Sequence, residues 1–217
     1  MTDIKVIITA GGSSSRFGKT NKLLSPVKGK PVILYSVDLF TKMGFEIVIS
    51  SNKSAIEDYK NLFKDYKNVK IIEGGSTRQQ SVKLALDTIT KCSFVIIHDG
   101  ARPLIKKEIV TKCIEAAKLY GGAIVGVKTT DTIKRISSGK EIKETLNRDN
   151  LINVQTPQIF EFNKIKKYHE KYSNKSFTDD SALFELENEC VFFVEGDYSN
   201  IKITTQTDIK LAELLLE

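Results

Sequence analysis

Five short runs rich in Val, Ile and Phe, at 4–9, 45–51, 69–73, 93–98 and 122–128, are separated by stretches with the apolar spacing of amphipathic helices. Strands joined by helix-length crossovers do not pair as hairpins. They form right-handed βαβ units, and the fold expected is an α/β, Rossmann-like, mostly parallel twisted sheet with helices on both faces. The spacing predicts helices from Pro31 to Met43 and at 54–64, 77–90 and 106–120. Pro31 stands in the first turn of its helix and Gly44 just past its end, while Gly121-Gly122 closes the fourth. Further helices are predicted at 161–172, 178–188 and 206–216, with a strand near 191–195. A chain of 217 residues with 41% hydrophobic content can bury a core without metal or disulfide staples, so residues 1–217 read as one domain.

The pattern lapses between 129 and 158. This stretch is polar, turns at Ser137-Ser138-Gly139-Lys140 and resumes with Ile142-Lys143-Glu144-Thr145-Leu146. A polar hairpin that buries little of its own surface projects, and a partner is needed to order it. Residues 129–158 are therefore expected to form a β-arm through which the chain dimerises. Cys92, Cys113 and Cys190 are odd in number and lack Cys-x-x-Cys spacing, which favours neither a disulfide framework nor a zinc site and suits a reducing cytoplasm. The first strand starts by residue 4, leaving no room for a secretory signal, and no apolar run approaches the ~20 residues of a membrane span.

The formal charge of +6 is unevenly distributed. Residues 151–217 hold 7 Lys against 12 Asp and Glu, a net of −5, which leaves +11 on the first 150 residues. That half should meet an anion. Nucleic acid is one candidate, but Trp is absent and no aromatic-basic interleaving, helix-turn-helix, RNP or zinc-finger pattern occurs. A non-catalytic polyanion or RNA-binding module is thus the distant alternative.

The first strand runs into Ala10-Gly11-Gly12-Ser13-Ser14-Ser15-Arg16-Phe17-Gly18-Lys19-Thr20-Asn21-Lys22. Gly11 and Gly12 let the main chain close on a ligand, and successive N–H groups in such a turn make an anion-binding concavity. Arg16 offers a planar fork and Lys22 a point charge to the same anion. Glycines at 11, 12 and 18 match neither the Walker nor the dinucleotide fingerprint. A surface turn with solvated cations has the same composition, so the loop alone does not decide.

Six further segments follow in order: Gly74-Gly75-Ser76-Thr77-Arg78-Gln79-Gln80-Ser81-Val82, His98-Asp99-Gly100-Ala101-Arg102-Pro103, Thr130-Asp131-Thr132, Gln155-Thr156-Pro157-Gln158-Ile159-Phe160, Thr178-Asp179-Asp180-Ser181, and Gly196-Asp197 with Asn200-Ile201-Lys202-Ile203-Thr204. With the opening loop, the series resembles the 2-C-methyl-D-erythritol 4-phosphate cytidylyltransferases of the non-mevalonate isoprenoid pathway, over nearly the whole chain. The resemblance implies a nucleotidyltransferase that joins CTP to a polyol phosphate, releases pyrophosphate and uses Mg²⁺, carried mainly by the CTP phosphates and water. Ribitol-5-phosphate cytidylyltransferases share much of the pattern and give an alternative acceptor.

The resemblance also implies roles. Arg16, Lys22, Arg148 and Lys202 would be the catalytic cations. Ala10, Gly11, Gly12 and Ser13 would surround the nucleotide phosphates, and Gly74, Gly75 and Ser81 would line the base pocket. Asp99, Arg102, Thr132, Arg148, Thr178 and Lys202 would contact the polyol phosphate, with Thr132 and Arg148 serving the partner's site. Asp99 also counts among the nucleotide contacts; it either orients Arg102 and substrate hydroxyls or approaches the metal through water. His98 reads as a core residue, Arg78 as a cap or brace for its turn, and Thr178-Asp179-Asp180 as a helix N-terminus, which is compatible with a substrate contact at Thr178. The chain departs from the family where Thr20-Asn21-Lys22 replaces the usual Pro-Lys-Gln and where Gly100 replaces alanine.

Overall fold

In the computed structural model, which describes residues 3–12, 17–18 and 21–216, the first apolar run becomes β1 (Ile4–Ala10), inside a seven-stranded sheet. Successive strand side chains point to opposite faces. Val6 and Ile8 accordingly enter the core on one side of the sheet and Ile7 the core on the other. Two short strands, β2 (Pro26–Val27) and β3 (Lys30–Pro31), precede α1 (Val32–Lys42). Then come β4 (Glu46–Ser51), α2 (Ile56–Leu62), β5 (Val69–Glu73), α3 (Arg78–Asp87), β6 (Phe94–Asp99), α4 (Lys107–Tyr120) and β7 (Gly122–Lys128). β6, β1, β4 and β5 lie side by side and parallel. The crossover reading therefore holds for the first 128 residues.

The helices are shorter than their periodicity suggests. Pro31 is the residue before α1 rather than part of its first turn, and α2 follows a separate 3₁₀ turn at Lys53–Ala55. Past α1 and α4 the chain enters the left-handed region at Gly44 (φ 83°) and Gly121 (φ 84°), where a side chain would be strained.

The larger difference lies in the stretch expected to project. Only its first part does: β8 (Lys134–Ile136) and β9 (Ile142–Thr145) pair antiparallel, and every residue of both is exposed. From residue 152 the chain returns to the sheet as β10 (Ile152–Glu161), antiparallel to β6 on one side and β7 on the other. Residues 152–158 are thus a central strand rather than arm. Hydrophobic periodicity missed it because Gln155, Thr156 and Gln158 are polar yet buried. Each is hydrogen-bonded within the fold: Gln155 donates to the Asp197 carbonyl, Thr156 meets His98, and Gln158 donates to Asp179.

The remaining elements are α5 (Phe162–Lys171), α6 (Ser181–Leu186), β11 (Phe192–Glu195) and α7 (Gln206–Leu215). β11 adds to β7 as an edge strand, giving the order β11-β7-β10-β6-β1-β4-β5. α3, α5 and α6 pack on the Ile7 face, while α1, α2, α4 and α7 pack on the Val6 face. Among the described residues no helix is long and apolar enough to cross a membrane.

Candidate active site

Parallel strands direct ligands to their carboxyl ends, and the ends of β1 and β6 border a cavity of about 370 Å³ lined in part by Gly11, Gly12, Lys22, Ser81, Asp99 and Lys202. Ala10 is buried at the end of β1. The turn after β5 forms one wall. Gly74 N–H donates to the Ser51 carbonyl (2.7 Å), Gly75 N–H to Ser81 Oγ (3.2 Å), and Ser81 Oγ–H to the Thr77 carbonyl (2.9 Å). A Cβ on Gly74 would stand 2.7 Å from both Ser50 Oγ and Ser81 Oγ, so only glycine lets the turn pack this closely. Thr77 caps α3 by accepting from Gln80 N–H.

Lys22 reaches the cavity from a segment that its neighbour pins. Asn21 Nδ2 donates to the buried Tyr59 hydroxyl (3.1 Å), and its Oδ1 accepts from Leu23 N–H (3.0 Å). Arg16 and Ser13, expected at the phosphates, lie outside the described residues.

Asp99, at the end of β6, is the centre of the site. Its Oδ2 lies 2.6 Å from Lys202 Nζ, and its Oδ1 accepts from Arg78 Nε (3.2 Å) and Thr9 Oγ (3.3 Å). Burial opposes ionisation of this carboxyl. Arg78 and Lys202 more than offset that, and its pKa falls well below the usual carboxylate range. Asp99, Lys202 and Arg78 also line a second cavity of about 490 Å³, together with Arg102, Thr178 and Asp179. The three residues thus form a shared boundary between two cavities.

Arg102 is oriented by the segment that carries Lys202. Its Nη1 donates to the Asn200 carbonyl at 2.6 Å, and Asn200 Nδ2 donates to Gln155 Oε1 and the Thr156 carbonyl. Arg102 Nε is buried without a protein partner. Burial lowers the Arg102 pKa.

His98 is fully buried, and burial pushes its pKa down to about 4, leaving it neutral at pH 7. Its Nε2 meets the Arg102 carbonyl (3.1 Å) and must donate to it, so Nδ1 accepts from the Thr156 hydroxyl (3.0 Å). The Thr156 oxygen in turn accepts from Asp99 N–H (3.0 Å). This chain fixes the end of β6 against β10 and agrees with a core role for His98.

The structure refines two local readings. Arg78 does more than brace its own turn, because it bridges Asp99 and Asp180 at 3.2 and 2.6 Å. Thr178-Asp179-Asp180 does lead into a helix, α6, with Asp180 at the cap position but without a side-chain capping bond. The pairing of Asp180 with buried His169 (3.0 Å) escaped sequence reasoning; the acidic pair at 179–180 was the available signal. Thr132 and Arg148 lie exposed on the arm and line neither cavity. Arg148 donates to the Thr130 carbonyl at 2.7 Å.

Among the described residues no group of three or more His, Cys, Asp and Glu is placed to hold a metal ion. Asp99 is the one carboxylate among the first cavity's described lining residues, and its oxygens already face Lys202 and Arg78.

Residues 4–217 match the family model described as IspD, 2-C-methyl-D-erythritol 4-phosphate cytidylyltransferase. A 2-C-methyl-D-erythritol 4-phosphate cytidylyltransferase of Caldanaerobacter subterraneus is 42% identical over 99% of each chain, and one from Clostridium perfringens is 40% identical over 98% of each. The crystal structure of the 4-diphosphocytidyl-2C-methyl-D-erythritol synthase of Anaerococcus prevotii superposes with a TM-score of 0.88 at 34% identity, covering 99% of this chain and 96% of that one. A match across the whole sheet, both cavities and the tail has one meaning: the chain belongs to the 2-C-methyl-D-erythritol 4-phosphate cytidylyltransferase family and is a nucleotidyltransferase.

Proposed function

We propose that the protein transfers a cytidylyl group from CTP to 2-C-methyl-D-erythritol 4-phosphate, giving 4-diphosphocytidyl-2-C-methyl-D-erythritol and pyrophosphate. The observation that carries this reading is the pair of cavities sharing Asp99 and Lys202. The Gly74-Gly75-Ser81 wall offers backbone groups and a hydroxyl to a pyrimidine, and Arg102 with Thr178 offers a guanidinium and a hydroxyl to a phosphate. Family membership favours this acceptor over ribitol 5-phosphate and disfavours a non-catalytic polyanion module.

The reaction forms a bond from an acceptor phosphate oxygen to the α-phosphorus of CTP and breaks the α–β phosphoanhydride bond, so pyrophosphate leaves with the electron pair. A phosphate monoester is already anionic at neutral pH and needs no general base. The barrier is electrostatic, since about six negative charges must converge. Lys22, Lys202 and Arg16 would stabilise the α-phosphoryl charge, with Ala10, Gly11, Gly12 and Ser13 placing backbone around the phosphates. Asp99 fixes Lys202 at the boundary. A divalent cation such as Mg²⁺, held mainly by the CTP phosphates and water, would supply further neutralisation of the triphosphate charge.

Residues 1–217 act in this reading as one domain, in the cytoplasm. The exposed β8–β9 hairpin is the dimerisation arm, and through it Thr132 and Arg148 complete the partner's acceptor site. Pyrophosphate release from CTP and Mg²⁺, measured with methylerythritol phosphate and ribitol phosphate in parallel, tests the reading. Release with methylerythritol phosphate alone supports it, and release only with ribitol phosphate overturns the acceptor.

A further inference from the structure

Neighbouring residues at the start of α3 hold both cavities. Ser76 and Thr77 line the first cavity, and Arg78 lines both. Arg78 joins two carboxylates that arrive from distant parts of the chain: Asp99 at 3.2 Å through Nε and Asp180 at 2.6 Å through Nη1. Both carboxylates are more than nine-tenths buried, and two buried anions this close to one cation repel each other if it is lost. Gln79, itself 6% exposed, clamps the segment after α5. Its Nε2 donates to the Tyr172 carbonyl (3.0 Å) and its Oε1 accepts from Phe177 N–H (3.2 Å). Thr178 and Asp179 follow directly and line the second cavity.

We propose that Arg78 is a positioning residue that fixes the Asp99–Lys202 pair at the boundary, and that Arg78 and Gln79 together keep the 172–180 segment aligned with the nucleotide turn. The two halves of the site are then built on one helical turn. A planar fork can bridge two carboxylates in fixed directions, whereas an ammonium supplies a single point charge. Without the fork Asp99 keeps Lys202 and the longer Thr9 contact but loses the restraint on its rotation. The Asp180 carboxylate keeps His169, 3.0 Å from its other oxygen, and the segment keeps the Gln158 bonds to Asp179 and to Asp180 N–H, but its tie to α3 through Arg78 is lost. Lys202 touches the reacting groups in the cytidylyl-transfer reading, on which this proposal rests; Arg78 acts on it through Asp99.

Steady-state pyrophosphate release by the full chain, with CTP and methylerythritol phosphate varied in turn, tests the proposal on Arg78→Lys and Gln79→Ala. Calorimetric CTP binding and the thermal midpoint of each variant accompany it. Arg78→Lys should lower kcat about 10- to 100-fold, the scale of a misplaced reacting group, with CTP affinity within about threefold of the parent. Gln79→Ala should raise KM for the polyol phosphate and leave KM for CTP unmoved. The proposal fails if Arg78→Lys retains the parent kcat, or if its loss merely follows the fraction unfolded. Should Arg78→Lys not fold, Gln79→Ala decides: equal changes in both KM values, or none, overturn the coupling. A parent protein that releases no pyrophosphate overturns the reaction itself, an outcome distinct from an active parent with indifferent variants.

Discussion

The boundary between the two cavities and the β8–β9 arm carry residues expected at the same reaction, yet their surroundings are opposite. At the boundary, Asp99 is 7% exposed and held by Lys202, Arg78 and Thr9, each from a different part of the chain. On the arm, both strands are exposed throughout, and the Arg148 side chain donates to a carbonyl of the same arm. Charges in a low-dielectric setting interact strongly and keep their geometry, while exposed ones are screened and mobile. A site built from both kinds of region has one half positioned by its own fold and another half whose position depends on what the arm meets.

The boundary should give the largest effect. Lys202→Ala removes the cation 2.6 Å from Asp99 and should lower kcat about 100- to 1,000-fold, the range for losing one preorganised charge-stabilising donor. CTP binding by calorimetry and the thermal midpoint should stay close to the parent. Unimpaired turnover would remove Lys202 from the chemistry. The arm should give the next effect: Arg148→Ala should cost about 10-fold or more in kcat/KM, the scale of a lost charge-assisted hydrogen bond, with no change in folding. Mixing Lys202→Ala and Arg148→Ala chains should restore part of the activity if the arm serves the partner, since one site of the mixed dimer then has both cations. No recovery would confine Arg148 to its own subunit or to none.

The same contrast explains what was legible in the sequence. β1, β4, β6 and β7 announce themselves because burial on both faces demands runs such as Val6-Ile7-Ile8 and Val95-Ile96-Ile97. β10 does not, because Gln155, Thr156 and Gln158 are buried polar groups whose partners Asp197, His98 and Asp179 stand 21 residues or more away in sequence. The Gly74-Gly75 turn and Asp99 could be placed from motif order, but their bridge could not. Arg78 meets partners 21 and 102 residues away, and no local spacing encodes such a pairing. The arm was recognised from its polarity, and its extent was overdrawn for the same reason.

A pH experiment sharpens the comparison from the buried side. Folding lowers the His98 pKa from its ordinary value of 6.5 to about 4, so between these values the unfolded chain binds a proton that the folded chain refuses. Stability should therefore fall as pH drops from 6.5 toward 4, by on the order of 3 kcal/mol across the window. Asp99 and Asp180 have lowered values and act in a different range. Their contribution is complete above the ordinary aspartate pKa of 3.8 and is lost only as pH falls below it. Urea denaturation at steps between pH 7 and 4.5 should show the slope in the parent and a weaker one in His98→Gln. An identical slope in both would assign it to other groups.

The smallest effect on the folded chain is expected on the arm, and its smallness is the informative part. Ile136 and Ile142 are 59% and 62% exposed, and the two residues face each other in register across β8 and β9. In a single chain these side chains bury little, so Ile136→Ser with Ile142→Ser should change the stability of a monomer by no more than about 0.5 kcal/mol, as for ordinary surface substitutions. If the arm is covered by a second copy, the same changes remove apolar area at that contact, worth about 25 cal/mol per Å². Sedimentation should then show a dimer that dissociates at higher protein concentration, with activity falling alongside as Arg148 leaves the partner's site. A variant with unchanged sedimentation and unchanged turnover would mean that the arm's apolar residues face water in the working enzyme, and the dimer would have to be sought on another surface.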